Sequence, residues 1–205
     1  VYTAKAAPEY TRSEDDMKEL AAELGCGFAC DPAAGNADRA ADLRALGADI
    51  AISVNWPTLI STEVRQVFAN GIINAHPGDL PRYRGNACPN WAILNGEKDV
   101  GLALHEMSDG IDEGPIYLKR HYPLNDDSYI GDVYDFLTKA IPEMFLEVLG
   151  GLEKGDLPSP RKQDERKAMR CYPRRPEDGL IDWRQPASAV HRLVRASSRP
   201  FAGAF

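Results

Sequence analysis

Short apolar runs along this chain alternate with stretches in which apolar residues return every three or four positions. The first such stretch opens at Ser13-Glu14-Asp15-Asp16, a hydroxyl N-cap followed by acidic residues that the helix dipole favours. Met17, Leu20, Ala21 and Leu24 follow at helical spacing up to Gly25. Gly27–Cys30 reads as a short strand. Asn36 caps a second helix, with Ala41, Leu43 and Leu46 turned inward and Gly47 at its end. Asp49–Asn55 is then a nearly continuous apolar run of strand length, the mark of a strand covered on both faces. A helix over Ser61–Asn70 stops at Gly71, and Gly71–His76 is a second buried strand. Strands alternating with helices in this way predict an α/β fold with a mostly parallel sheet and flanking helices.

The pattern changes after His76. Pro77–Pro89 reads as loop, Trp91–Asn95 as a short helix ended by Gly96, and Gly101–Met107 and Pro115–Tyr122 as two strands around a turn at 110–114. A long helical stretch covers Ser128–Leu149, with Pro142 as its expected kink or break and Gly150-Gly151 closing it. Arg161–Lys167 mixes charges of both signs and reads as a solvated segment. Val1–Ala4 resembles the end of a strand, and Gly203-Ala204-Phe205 carries neither cap nor polar tail, so the fold is expected to be truncated at both ends.

Composition narrows the classes. Of the 205 residues, 43% are hydrophobic and 27% charged, which fits a globular domain rather than disorder. The 24 Lys and Arg against 31 Asp and Glu leave a net charge of −7, and such a chain does not wrap a nucleic-acid backbone by bulk electrostatics. No apolar run approaches the roughly 18–20 residues that span a bilayer, so no membrane association is expected. Four scattered cysteines are not a disulfide framework and read as reduced thiols in the cytoplasm. Cys26 and Cys30 lack a partnering His or Cys motif, so no metal is expected.

Candidate chemistry gathers at Asn74-Ala75-His76. Side chains two apart on a strand point to one side, and ligands of open parallel sheets bind beyond the strands' carboxyl ends. Asn74 and His76 would then enter one cleft, an amide donor beside a base that titrates near neutrality. Such a pair suits reactions in which a carbonyl becomes tetrahedral. In Gly110-Ile111-Asp112-Glu113-Gly114, two glycines let the backbone curl and aim a carboxylate, and an Asp beside a His biases its tautomer and stabilises its charge. Each feature alone also fits a structural role. His105, His121 and His191 read as structural, Cys88 as packing, and Trp91 and Trp183 as core.

Taken together, Asn74-Ala75-His76-Pro77-Gly78-Asp79-Leu80-Pro81-Arg82-Tyr83-Arg84-Gly85, Trp91–Glu97 and Gly110–Gly114, with Asp112 36 residues after His76, resemble the formyltransferases that use 10-formyltetrahydrofolate. Arg175–Trp183 and Leu193–Phe205 look like the segment that follows the catalytic domain in the methionyl-tRNA and amino-sugar branches. The resemblance implies a Rossmann-like formyltransferase fold, with residues 1–158 as catalytic core and 159–205 as connecting segment and start of a C-terminal region. It implies a catalytic trio of Asn74, His76 and Asp112, with Asn74 and protonated His76 on the oxyanion and Asp112 tuning His76 and relaying protons. Trp56, Leu59, Ser108 and Asp109 are carried over as residues bordering the pterin, and 10-formyltetrahydrofolate as co-substrate without a metal. Arg82 and Arg84 fit either a phosphate or folate tail, or a solvated loop. Gly78 and Asp79 replace the family's commoner Ser-Leu, Glu113 its Thr, and Ala103 another Thr, which favours a nucleotide-linked amino sugar as acceptor. The alternative is methionyl-tRNA, with tRNA a partner only in that case; a homodimer is allowed.

Overall fold

A computed structural model describes residues 1–6, 12–156 and 159–205. The chain divides into two compact units, Val1–Ile73 and Asn74–Phe205. In the first unit β1 (Tyr2–Thr3) pairs in parallel with β2 (Ala29–Cys30). Between them α1 (Glu14–Glu23) starts where expected: the Asp16 carboxylate accepts from the Ser13 backbone N–H at 2.7 Å and from its hydroxyl at 3.1 Å. A single 3₁₀ turn after Asn36 leads into the short α2 (Ala40–Arg44), which buries Ala40 and Leu43. β3 (Ala51–Val54) departs from expectation. Only Ser53 is buried, while Ile52 and Val54 are 51% and 43% exposed, because the strand lies at an end of the strand order rather than inside it. The helix predicted over 61–70 is one turn, α3 (Thr62–Arg65), capped by Ser61 Oγ accepting from the Val64 N–H at 3.3 Å. β-Branched Thr62, Val64 and Val67 offer little intrinsic support for extending it.

The division between units falls inside β4 (Ile72–His76), whose last three residues open the second unit. That unit continues with β5 (Arg84–Gly85), α4 (Cys88–Leu94), β6 (Asp99–Glu106), β7 (Ile116–Pro123), α5 (Ile130–Lys154), β8 (Arg170–Cys171) and α6 (Ala187–Ser197). Its central strands lie in the order β4, β6, β7. β6 and β7 are antiparallel, with Leu102 opposite Arg120, and their register slips between Leu104 and His105. Val100 through His105 are all buried, which makes β6 the centre of this core. A separate two-stranded ladder joins β5 to β8 in parallel, Gly85 opposite Cys171. The result is the expected mixed α/β architecture, its sheet mainly parallel and flanked by helices.

α5 corrects one expectation. It neither breaks at Pro142 nor closes at Gly150-Gly151, but runs 25 residues to Lys154. Val133, Leu137 and Ala140 before the proline and Met144, Phe145 and Val148 after it are buried as one stripe. That burial outweighs the backbone hydrogen bond the proline removes, a cost of about 3 kcal/mol. Among the described residues no helix is long and apolar enough to cross a membrane.

Candidate active site

Three elements of the second unit supply the polar groups. β4 ends in Asn74, half-buried, and His76, whose side chain is only 5% exposed. β6, next to it in the strand order, carries the buried His105 one residue before its end. The turn after β6 carries Asp112, held in the left-handed region at φ 54°. The turn folds tightly onto β6: a Cβ at Gly114 would run into the Glu106 carbonyl.

The sequence-predicted trio meets. His76 Nδ1 lies 3.4 Å from Asp112 Oδ2, and the Gly85 N–H donates to that same oxygen at 2.7 Å. His105, read from sequence as structural, stands between the other two members: its Nε2 is 3.3 Å from Asn74 Nδ2 and 3.4 Å from Asp112 Oδ1. The hydrogen-bond partners assign both tautomers. Backbone carbonyls only accept, so His76 carries its proton on Nε2, 2.7 Å from the Tyr83 carbonyl. By the same logic His105 carries its proton on Nδ1, 2.9 Å from the Glu106 carbonyl, and its Nε2 lone pair accepts from the Asn74 amide. His76 Nδ1 is thereby left as a lone pair facing a carboxylate.

Burial lowers the pKa of His76 below the ordinary imidazole value, although the Asp112 charge and the Tyr83 carbonyl pull the other way. Burial alone would raise Asp112. The contact with His105, the charge of His76 and the Gly85 N–H together reverse this and hold the carboxyl at about 2. At neutral pH the pair is therefore a neutral imidazole beside a carboxylate. The stability consequence has a definite sign. As pH falls below about 6.5 the unfolded histidine binds a proton that the folded one does not, so the native state loses up to about 1.4 kcal/mol per pH unit from this group. Asp112 adds a second loss as pH drops from its unfolded value of 3.8 toward about 2. Urea melts between pH 7 and 5 are expected to show declining stability in the parent, with a shallower decline in His76→Asn; equal slopes would remove His76 as the source.

The departures in the loop after His76 have structural reasons. A Cβ at Gly78 would collide with the Tyr83 carbonyl and with the His76 ring, so a serine does not fit this arrangement. Asp79 is held by Lys119, which also donates to the Leu80 carbonyl at 2.8 Å, and by His121 Nε2 at 3.2 Å. Arg82 pairs with Glu97 at 2.6 Å on an exposed surface, and Arg84 is buried against Gln163 and Glu165. Only Arg82 thus keeps the solvated character considered for both.

Over residues 3–149 the chain matches the formyl transferase family, and over 174–205 the family's C-terminal domain. The chain belongs to the formyl transferase family. Among solved structures, this family member resembles HypX from Aquifex aeolicus in complex with tetrahydrofolic acid, at 25% identity and a TM-score of 0.70 over 97% of this chain and 34% of that one. It also resembles WlaRD, a sugar 3N-formyl transferase crystallised in the presence of dTDP and 5-N-formyl-THF, at 18% identity and TM-score 0.71 over 96% and 68%. The methionyl-tRNA formyltransferase of Clostridium thermocellum aligns at 19% identity and TM-score 0.67 over 100% and 86%. The chain spans about a third of the length of the HypX structures it matches.

The residues carried over for the pterin lie in both units. Trp56 and Leu59 belong to the first: the Trp56 indole N–H donates to Thr58 Oγ1 at 3.0 Å, and Leu59 is 77% exposed. Ser108 and Asp109 belong to the second, in the half-exposed turn that leads to Asp112. A formyl donor fits this chemistry, because among the described residues nothing takes the second N–H of Asn74, and residues 107–112 are half-exposed or exposed. His105 escaped the sequence because nothing in Gly101–Met107 states which strand neighbours β4; its one signal is an imidazole closing an otherwise apolar run. Trp91 donates its indole N–H to the Tyr172 carbonyl at 2.9 Å, whereas Trp183, expected in the core, is 79% exposed.

Proposed function

We propose that the chain transfers a formyl group from 10-formyltetrahydrofolate to a primary amine, the amino group of a nucleotide-linked sugar. The observation that carries this reading is the convergence of Asn74, His76, His105 and Asp112 at the ends of β4 and β6. The acceptor nitrogen attacks the formyl carbon, a C–N bond forms, and the carbonyl oxygen takes up negative charge. The free N–H of Asn74 donates to that oxygen. The attacking nitrogen gives up a proton, which the Asp112–His76 pair accepts: His76 takes it on Nδ1, where the carboxylate stabilises the imidazolium. The bond from carbon to the folate nitrogen then breaks, and the proton returns to that leaving nitrogen.

The choice of an amino sugar is supported by the Gly78-Asp79 loop, by the acidic charge of −7, and by the likeness to WlaRD. All four cysteines are free thiols, which suits a reducing, cytoplasmic setting. The test is a panel assay followed by mass gain on the acceptor. Purified protein is given 10-formyltetrahydrofolate with dTDP-3-amino and dTDP-4-amino sugars, with methionyl-tRNA, or with no amine. Formylation of a sugar nucleotide supports the proposal, formylation of methionyl-tRNA alone replaces the acceptor, and formate release without amine replaces transfer by hydrolysis.

A further inference from the structure

We infer that Gln163, in the stretch between the two family-matched regions, is a positioning residue that holds the Asp112 turn in its working shape. The inference rests on the function proposed for Asp112. The family matches end at residue 149 and resume at 174, so neither covers Gln163. Arg161–Lys167 reads in the sequence as a solvated charge run, and most of it is exposed. Gln163 is half-buried. Its amide nitrogen donates to two carbonyls of the active-site turn, Asp112 at 2.7 Å and Gly114 at 2.8 Å. Its amide oxygen accepts from Arg84 Nε at 3.1 Å and from Nη2 at 2.8 Å.

All the hydrogen-bonding capacity of the side chain is thus spent, and the partners fix its orientation: carbonyls can only accept and a guanidinium can only donate. Glutamate could not donate to the carbonyls, and lysine could not accept from Arg84. Arg84 is itself immobilised. It is 5% exposed, and Glu165 takes its far edge at 2.8 and 2.7 Å. The residue after it, Gly85, supplies the N–H that grips Asp112 Oδ2. The carboxylate is therefore held through its side chain by Gly85 and through its backbone by Gln163, and Arg84 ties the two holds together. Such bracing is required because Asp112 sits at φ 54°, a conformation that a non-glycine residue adopts only when its surroundings impose it. The segment bearing Gln163 is fixed on both sides, by the paired backbone bonds between Arg161 and Ile116 at 2.8 Å each and by the β5–β8 ladder.

The test compares Gln163→Glu, Gln163→Ala and the parent. Gln163→Glu keeps the shape and gives Arg84 a carboxylate, so its melting temperature should stay within a few degrees. Its kcat should fall about 10–100-fold, with KM for the formyl donor changed less than about threefold, as expected when a reacting group is misplaced without loss of binding. A readout independent of turnover is the titration of His76 followed by NMR on histidine-labelled protein. His76 faces Asp112, His105 and the Tyr83 carbonyl, and a displaced Asp112 charge moves its midpoint downward in Gln163→Ala, which adds no charge of its own. Unchanged kcat together with an unmoved His76 midpoint in folded variants overturns the inference. If the parent formylates no amine, the proposed function fails on its own, and the His76 midpoint still decides the role of Gln163: a downward move upholds it and none rejects it.

Discussion

His76→Ala is expected to lower kcat by about 10²–10⁴-fold, the usual contribution of a positioned acid–base group. In this site the imidazole is the group whose protonation changes. Asp112 is held at about 2 and stays ionised, and Asn74 has no titrating proton. His76 combines a lone pair at Nδ1, a carboxylate 3.4 Å away to receive the resulting charge, and burial that keeps it neutral at rest, whereas the lone pair of His105 already accepts from Asn74. Alanine removes all three functions while leaving the strand backbone intact, so circular dichroism and the melting profile should still report a folded protein. KM for the formyl donor should move little, because loss of proton transfer acts on the transition state and not on ground-state binding. His191→Ala, at an exposed position on α6, serves as the control and should match the parent. A kcat for His76→Ala within a few-fold of the parent, with both proteins folded, would reject the assigned role.

Much of this site is legible in the order of residues, and the remainder is not, for identifiable reasons. Asn74 and His76 could be placed because the period of a strand fixes two residues on one side, and the apolar run before them fixes the strand. Asp112 could be placed because the glycines at 110 and 114 mark a turn directly after a strand. His105 could not, since its role depends on β6 lying next to β4, and strand order is a tertiary fact. Gln163 was hidden for a related reason: its partners lie 51 and 49 residues away, in a segment whose charge pattern resembles any solvated linker. The same limit explains the errors in the fold. Two-sided burial was expected of β3 from its apolar run, but hydrophobicity does not reveal that a strand lies at an edge. Pro142 was expected to break α5, yet local propensity lost to a buried stripe that continues on both sides of it.

Asn74→Ala is expected to reduce kcat by about 10²–10³-fold, the cost of removing one donor from an oxyanion-binding site, equivalent to about 2.7–4 kcal/mol. The argument turns on pre-organisation. A carboxamide can flip and present oxygen or nitrogen equally well unless a neighbour decides. Here His105 decides: its Nδ1–H is committed to the Glu106 carbonyl, so its Nε2 is a lone pair and only the amide nitrogen of Asn74 can face it. One N–H is used in that bond, and the other is held ready without reorganisation when the formyl oxygen becomes an anion. Asn74→Asp separates this from a packing role. The isosteric carboxylate preserves volume and the strand end, but it cannot donate and it places a second negative charge near Asp112. Both variants should therefore lose rate to at least the same degree, with KM for the formyl donor shifting far less than kcat. If Asn74→Asp retained parental turnover, a donor at this position would not be what stabilises the developing charge.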